Sequence, residues 1–168
     1  DSTTTYDVTL ANASADPITP LNNFVGVVTV VNAADVIVHD KNNLTIGVMA
    51  SGDATVFAAD LISMGQSYVG GTLTAQGNFT QVDDIIGNTL NLVSTNFYDM
   101  AGYSATALTG DIHLTAVTDI TLGQLVANSG SVYVTTTSGA ILDGYETEKR
   151  NVVASGATSL IAAAGSFS

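Results

Sequence analysis

A spacing of twenty residues runs through the C-terminal third of this chain and leaves few folds open to it. Ile112, Val132 and Val152 form one series at that spacing, Ile120, Ala140 and Leu160 a second, and Leu122, Leu142 and Ala162 a third. A chain that winds into coils of equal length needs apolar series in register, because each coil buries its inner side against its neighbours. Internal repetition of this length predicts a solenoid.

Alternation says what the coils are made of. Ile112, Leu114 and Ala116 are apolar around polar His113 and Thr115, and Val132 and Val134 flank Tyr133 and precede Thr135. Period two over four or five residues fits a strand, and a helix cannot place these residues on one side. Gly110 and Gly130 stand two residues ahead of Ile112 and Val132, and Gly123, Gly139 and Gly144 fall at other strand ends, where a sharp corner needs backbone freedom. The expected fold is all-β, a parallel β-helix of short strands and corners, with coils of about 18 to 20 residues stacked at roughly 4.8 Å.

Upstream the period shortens. Leu44-Thr-Ile-Gly47 recurs eighteen residues later as Ile62-Ser-Met-Gly65, Val36 and Val38 recur as Ala54 and Val56, and Gly52-Asp-Ala-Thr-Val56 resembles Gly71-Thr-Leu-Thr-Ala75 at nineteen. The reading is one β-helical domain over residues 1–168, with about nine coils and a length on the order of 40 Å. Excursions are expected near 12–23, which holds Pro17 and Pro20, near 96–103, which concentrates aromatics, and near 145–151, the one dense charge cluster.

Only 11% of the 168 residues are charged while 46% are hydrophobic, so Thr, Ser, Asn and Gly must dress the surface. Runs such as Thr135 to Thr137 suit outward strand positions through simple strand propensity. The formal net charge of −12 repels nucleic acid and anionic lipid, which sets nucleic-acid binding aside. No run approaches the roughly eighteen apolar residues of a membrane helix, so membrane insertion is not expected. Cysteine is absent, which removes disulfides, thiolate catalysis and cysteine metal sites. Sequons at Asn12, Asn43 and Asn78 are what a chain rich in Asn and Thr produces by chance.

The stretches Gly110-Asp-Ile-His-Leu-Thr-Ala116, Asp119-Ile-Thr-Leu-Gly-Gln-Leu125, Gly130-Ser-Val-Tyr-Val-Thr135 and Ser138-Gly-Ala-Ile-Leu-Asp-Gly144 resemble the repeat region of large exported bacterial proteins related to filamentous haemagglutinin. Leu44-Thr-Ile-Gly-Val48 followed by Ser51-Gly-Asp-Ala-Thr-Val56 is similar to another unit of those repeats. The resemblance covers most of the chain and is specific for architecture. It implies a right-handed β-helical shaft, exported by a Gram-negative bacterium to the cell surface or beyond, and serving adhesion, biofilm cohesion or toxin delivery.

Candidate chemistry is sparse. His113 aligns with Tyr133 as an outward residue, and nothing in the sequence converges a nucleophile, base and orienter, so no catalytic residue is assigned. Asp83 and Asp84 are adjacent and could share a ligand only at a corner; Asp35 with Asp53, or Asp40 with Asp60, could stack on neighbouring coils. Such pairs allow weak Ca²⁺ binding and no dedicated metal or cofactor site. The sole arginine, Arg150, is remote in sequence from these pairs. Two functions stand. One is a structural, non-catalytic shaft segment or filament subunit, whose partners are copies of itself or neighbouring repeats. It would associate end to end through Tyr6, Val8 and Leu10 at one end and Leu160 and Ala162 at the other, or by strand addition through residues 1–5. The alternative is a β-helix that binds or cleaves carbohydrate, with Phe97, Tyr98 and Tyr103 as the contact loop for host or cell-surface glycans.

Overall fold

A computed structural model describes residues 5–11, 22–145 and 150–167. Among them there is no helix, and the strands belong to one parallel sheet wound on itself as a β-solenoid of about six turns, with coils about 19 residues apart. The strands are β1 (Tyr6–Leu10), β2 (Val27–Asp40), β3 (Leu44–Ala50), β4 (Ala54–Met64), β5 (Ser67–Gln81), β6 (Ile85–Asp99), β7 (Ser104–Ala107), β8 (Ile112–Ala116), β9 (Ile120–Leu122), β10 (Gln124–Ala127), β11 (Val132–Thr136), β12 (Ile141–Asp143), β13 (Val152–Ala154) and β14 (Thr158–Ala162).

These strands line three faces. The first carries β1, β8, β11 and β14, joined by parts of β2, β4, β5 and β6. The second carries β9 and β12 with the start of β3 and the ends of β4, β5 and β6. The third carries β7, β10 and β13 with the end of β3 and the starts of β5 and β6. A long strand such as β5 crosses all three, and its register shifts between Val69 and Thr72 and between Gly77 and Phe79 are the corners it turns. Inward residues stack in columns, for example Val38, Val56, Ala75, Leu92, Leu114 and Val134, each almost fully buried. Each buried Val or Leu side chain contributes about 1.5–3 kcal/mol relative to exposure, so the columns supply the main stabilisation.

The short upstream spacings pair as the sequence indicates: Leu44 with Ile62, Val36 with Ala54, and Ala54 with Leu73. The strict twenty-residue series holds only in part. Ile112 pairs with Val132 and His113 with Tyr133, but the next partner of Val132 is Thr158, and Val152 pairs with Leu125 on the third face. Ile120 pairs with Ile141 instead of Ala140, and Leu122 with Asp143 instead of Leu142. The corner bond from Ala140 N–H to Asp119 spans 21 residues, one more than the period. The excursion before β13 then lengthens the last coil, so that Ala157 N–H reaches Ser131 over 26 residues. A similar excess separates Asp7 from Asp35, 28 residues apart. Chain spent on these excursions adds no rung; the solenoid has about six turns where the sequence reading expects nine coils, and at one strand spacing per turn it is roughly 30 Å long.

Two further expectations change. Thr136 is buried, not a surface residue: its hydroxyl donates to the Thr118 carbonyl and accepts Gly139 N–H at 3.0 Å, closing the corner from inside. The corner glycines also act for a different reason. Positive φ occurs only at Gly26 and Gly102 among the described glycines. A Cβ on Gly130 would instead collide with the carbonyl oxygen of Gly110 one coil below, and one on Gly123 with that of Tyr103. Glycine is required there by the close approach of successive coils.

Candidate functional site

Among the described strands, those at the two ends of the solenoid bond on one side only. β1 pairs with β2 alone. Val8 and Leu10 pack partly into the core beneath Val36 and Val38, while Tyr6 is 73% exposed. At the other end β14 pairs with β11 alone. Leu160 continues the column of Val134, Leu114 and Leu92, which leads back through Val56 and Val38 to Leu10. It is 37% exposed where Val134 below it is fully buried, because no described strand covers it. Ala162, paired with Thr136, is half-buried. A cavity of about 310 Å³ opens at this end, lined by apolar Leu122, Ile141, Leu142, Val152, Leu160 and Phe167 and by polar Asp143 and Asn151. Phe167 bridges to Ile141 and is itself exposed, so the terminal segment covers the second face only in part. Residues 1–4, part of the proposed strand-adding segment, lie outside the described residues.

The aromatic segment separates into inward and outward members. Tyr98 is fully buried and stacks on Phe79 at 4.5 Å between ring centroids with planes 6° apart, so it is a core residue and not a contact residue. The expected loop over 96–103 is also smaller than the sequence suggests, since β6 continues to Asp99 and Tyr98 pairs with Ile120. The extra chain is Thr95, Asn96 and Phe97, which stand between Ser94 and Tyr98 opposite the single residue Asn78. Phe97 is exposed on that bulge. A second turn at Ala101 and Gly102, both at positive φ, leaves Tyr103 exposed. Burial pushes the Tyr98 hydroxyl well above the ordinary tyrosine range, and this hydroxyl has no hydrogen-bond partner among the described residues.

The remaining polar candidates are organised by the corners. Asp35 Oδ1 accepts Asp53 N–H at 2.8 Å, Asp53 Oδ1 accepts Thr72 N–H at 2.7 Å, and Asp111 Oδ1 accepts Ser131 N–H at 2.7 Å. Asp84 does the same for Ser104 at 2.8 Å and Asp119 for Ala140 at 2.8 Å. Each carboxylate satisfies a backbone donor in the next coil at a corner where the strand ladder breaks. Sequence reasoning placed Asp35 near Asp53 but missed this role. The signal was present as Asp or Ser immediately before an inward apolar pair in successive coils. Asp40 does not stack with Asp60: it is buried, and its carboxylate accepts Phe24 N–H at 2.6 Å and Asn42 N–H at 2.7 Å.

His113 stacks on Tyr133 at 4.8 Å, the outward pair the register requires, and its Nε2 lies 3.8 Å from Asp111 Oδ2. His39 meets Phe57 edge-on at 5.8 Å, and partial burial lowers its pKa. At the C-terminal end Asn151 Nδ2 donates to Asp143 Oδ1 at 2.9 Å and Tyr145 N–H donates to the same oxygen at 2.8 Å. These two bonds, the asparagine first, hold the Asp143 carboxyl below the usual carboxylate range. Among the described residues no three His, Asp or Glu side chains gather in a way that could hold a metal ion, and no helix is long and apolar enough to cross a membrane. Residues 146–149 of the charged cluster and the proline-containing stretch 12–21 lie outside the described residues. No known family model, curated protein or solved structure matches the chain.

Proposed function

We propose that this chain is a structural, non-catalytic segment of a bacterial surface adhesin or extracellular filament, associating end to end. The observation that carries the reading is the common column of Leu10 and Leu160, each on a terminal strand with one edge unpaired among the described strands. Stacking β14 of one copy on β1 of the next prolongs the first face in the same parallel sense and sets Leu160 over Leu10. It also covers the apolar opening beside Phe167. Unpaired strand edges and an open core section favour such a contact, and a head-to-tail contact of this kind propagates into a filament. The adhesive role and a bacterial, extracellular setting rest on the resemblance of the repeats to exported haemagglutinin-like proteins.

Light scattering and electron microscopy of the purified chain test the assembly. The native chain should form rods or fibres that lengthen with concentration, and Leu160→Lys with Ala162→Lys should leave single short rods of unchanged circular dichroism. A native chain that stays monomeric at millimolar concentration overturns the proposal.

A further inference from the structure

The third face carries an apolar stripe on its outer side that the end contact does not use. Met49 pairs with Tyr68, Tyr68 with Ile86, Ile86 with Thr106, Thr106 with Val126 and Val126 with Val153, so six outward residues stand one above another. Met49, Tyr68 and Val153 are 41%, 49% and 40% exposed, and the three between them are half-buried by their neighbours. The equivalent column on the second face runs Thr45, Ser63, Thr80, Asp99, Thr121 and Leu142, which is polar until its last member. Strand propensity alone does not distinguish the two faces. We propose that the third face is a lateral contact, by which two copies of this chain lie side by side with their stripes apposed.

Spacing favours a second copy over a docked helix or an extended strand. The stripe repeats at the strand separation of about 4.8 Å, whereas a docked helix repeats its side chains every 5.4 Å and an extended strand roughly every 6.8 Å. Either slips out of step within a few rungs. A second solenoid matches the repeat along the whole stripe, in a self-complementary arrangement about a twofold axis. Two chains of net charge −12 repel, and they approach at least cost where carboxylates are few. The columns flanking the stripe on this face include Ser51, Leu108, Asn128 and Ser155 on one side and Ser104, Gln124 and Asn151 on the other. Asp84 is the carboxylate among them, and its Oδ1 is engaged by Ser104 N–H. Six rungs offer on the order of 500 Å² per copy against about 800 Å² in a standard interface, so the pairing of single copies is weak and concentration-dependent.

The chain has no cysteine, so one introduced thiol reports position. Thr106→Cys, at the middle of the stripe, is treated near millimolar concentration with a short bismaleimide, and Thr121→Cys on the polar second face serves as the reference. The expected result is at least tenfold more covalent dimer for Thr106→Cys. Adding Tyr68→Glu and Val153→Glu, both exposed positions, should abolish that dimer with circular dichroism and Tm unchanged; if this chain misfolds, Tyr68→Glu alone gives the same readout. The dimer should persist in a chain that also carries Leu160→Lys and Ala162→Lys, because end stacking holds the two 106 positions a full solenoid length apart. Equal dimer at positions 106 and 121, dimer insensitive to the glutamates, or dimer lost with the blocked end each overturn the lateral contact. None of these outcomes depends on whether the native chain forms filaments.

Discussion

At the residue scale, glycine and aspartate do their work between coils. Gly130→Ala drives a methyl into the Gly110 carbonyl and should cost about 1–3 kcal/mol, the usual range for overpacking. Gly65 has ordinary φ and meets nothing closer than 3.6 Å, so Gly65→Ala should be neutral or stabilise by up to about 1 kcal/mol through the unfolded chain. Thermal unfolding of the two variants separates the effects, and equal losses would show that close approach is not the cause. Tyr98→Phe keeps the stack on Phe79 and removes a buried hydroxyl without a partner, so stability should hold or rise by about 1 kcal/mol. Because the folded tyrosine pKa is raised, its contribution is complete below the unfolded value of about 10 and is lost as pH rises above it. Tyr98→Phe should therefore flatten the alkaline fall in Tm. Asp143 has the opposite sign: its carboxyl is depressed, so the tie it makes with Asn151 is complete above about pH 3.9 and fades as pH drops through the folded value. In an NMR titration Asn151→Ala should return the Asp143 pKa toward the ordinary range, and an unmoved pKa would contradict the assigned cause.

At the scale of the element, each strand is three to five residues per face with a fixed inside and outside. Leu114 is fully buried in β8, and its neighbour Thr115 is exposed. Leu114→Asp places an unpaired carboxylate in the core and should cost at least about 3 kcal/mol, whereas Thr115→Asp should change stability by about 0.5 kcal/mol or less. Urea unfolding of the pair tests the register of the whole first face, and comparable losses would mean that β8 is turned the other way. The corner bonds tie elements together across the breaks. Asp111→Ala leaves Ser131 N–H without its acceptor at the entry to β11, so hydrogen exchange should quicken at Ser131 before it does at Val134.

At the scale of the molecule, neighbouring coils touch along their whole length while distant ones do not, so stability is nearly a sum over rungs and the ends are its weak points. The partial exposure of Leu160 and Phe167 against the full burial of Val132 and Val134 expresses that difference. Removing residues 158–168 should expose the next inward layer, Val132, Val134 and Ile141, and lower the unfolding temperature by several degrees. A truncated chain as stable as the native one would mean that the last strand adds no cohesion.

Alternation and repetition, both one-dimensional properties, determined that the chain is all-β, that its strands lie parallel one coil apart, and that the apolar residues of β8 and β11 face inward, though not that Thr136 joins them. They are legible because a period of two fixes a side and a recurring length fixes a stack. The partner of each late strand was decided only in three dimensions. Val152 suits the column of Leu125 as well as that of Val132 by chemistry, and the choice follows from how many residues the corners and excursions consume. Alternation carried on from Leu90, Leu92 and Ser94 puts Tyr98 inside and Phe97 outside, because the bulge adds a net two residues and keeps the phase; reading 96–103 as a loop hid that signal. The outer stripe on the third face was likewise hidden. Its members are spread over residues 49 to 153 at unequal intervals, and only the winding of the chain sets them in one line.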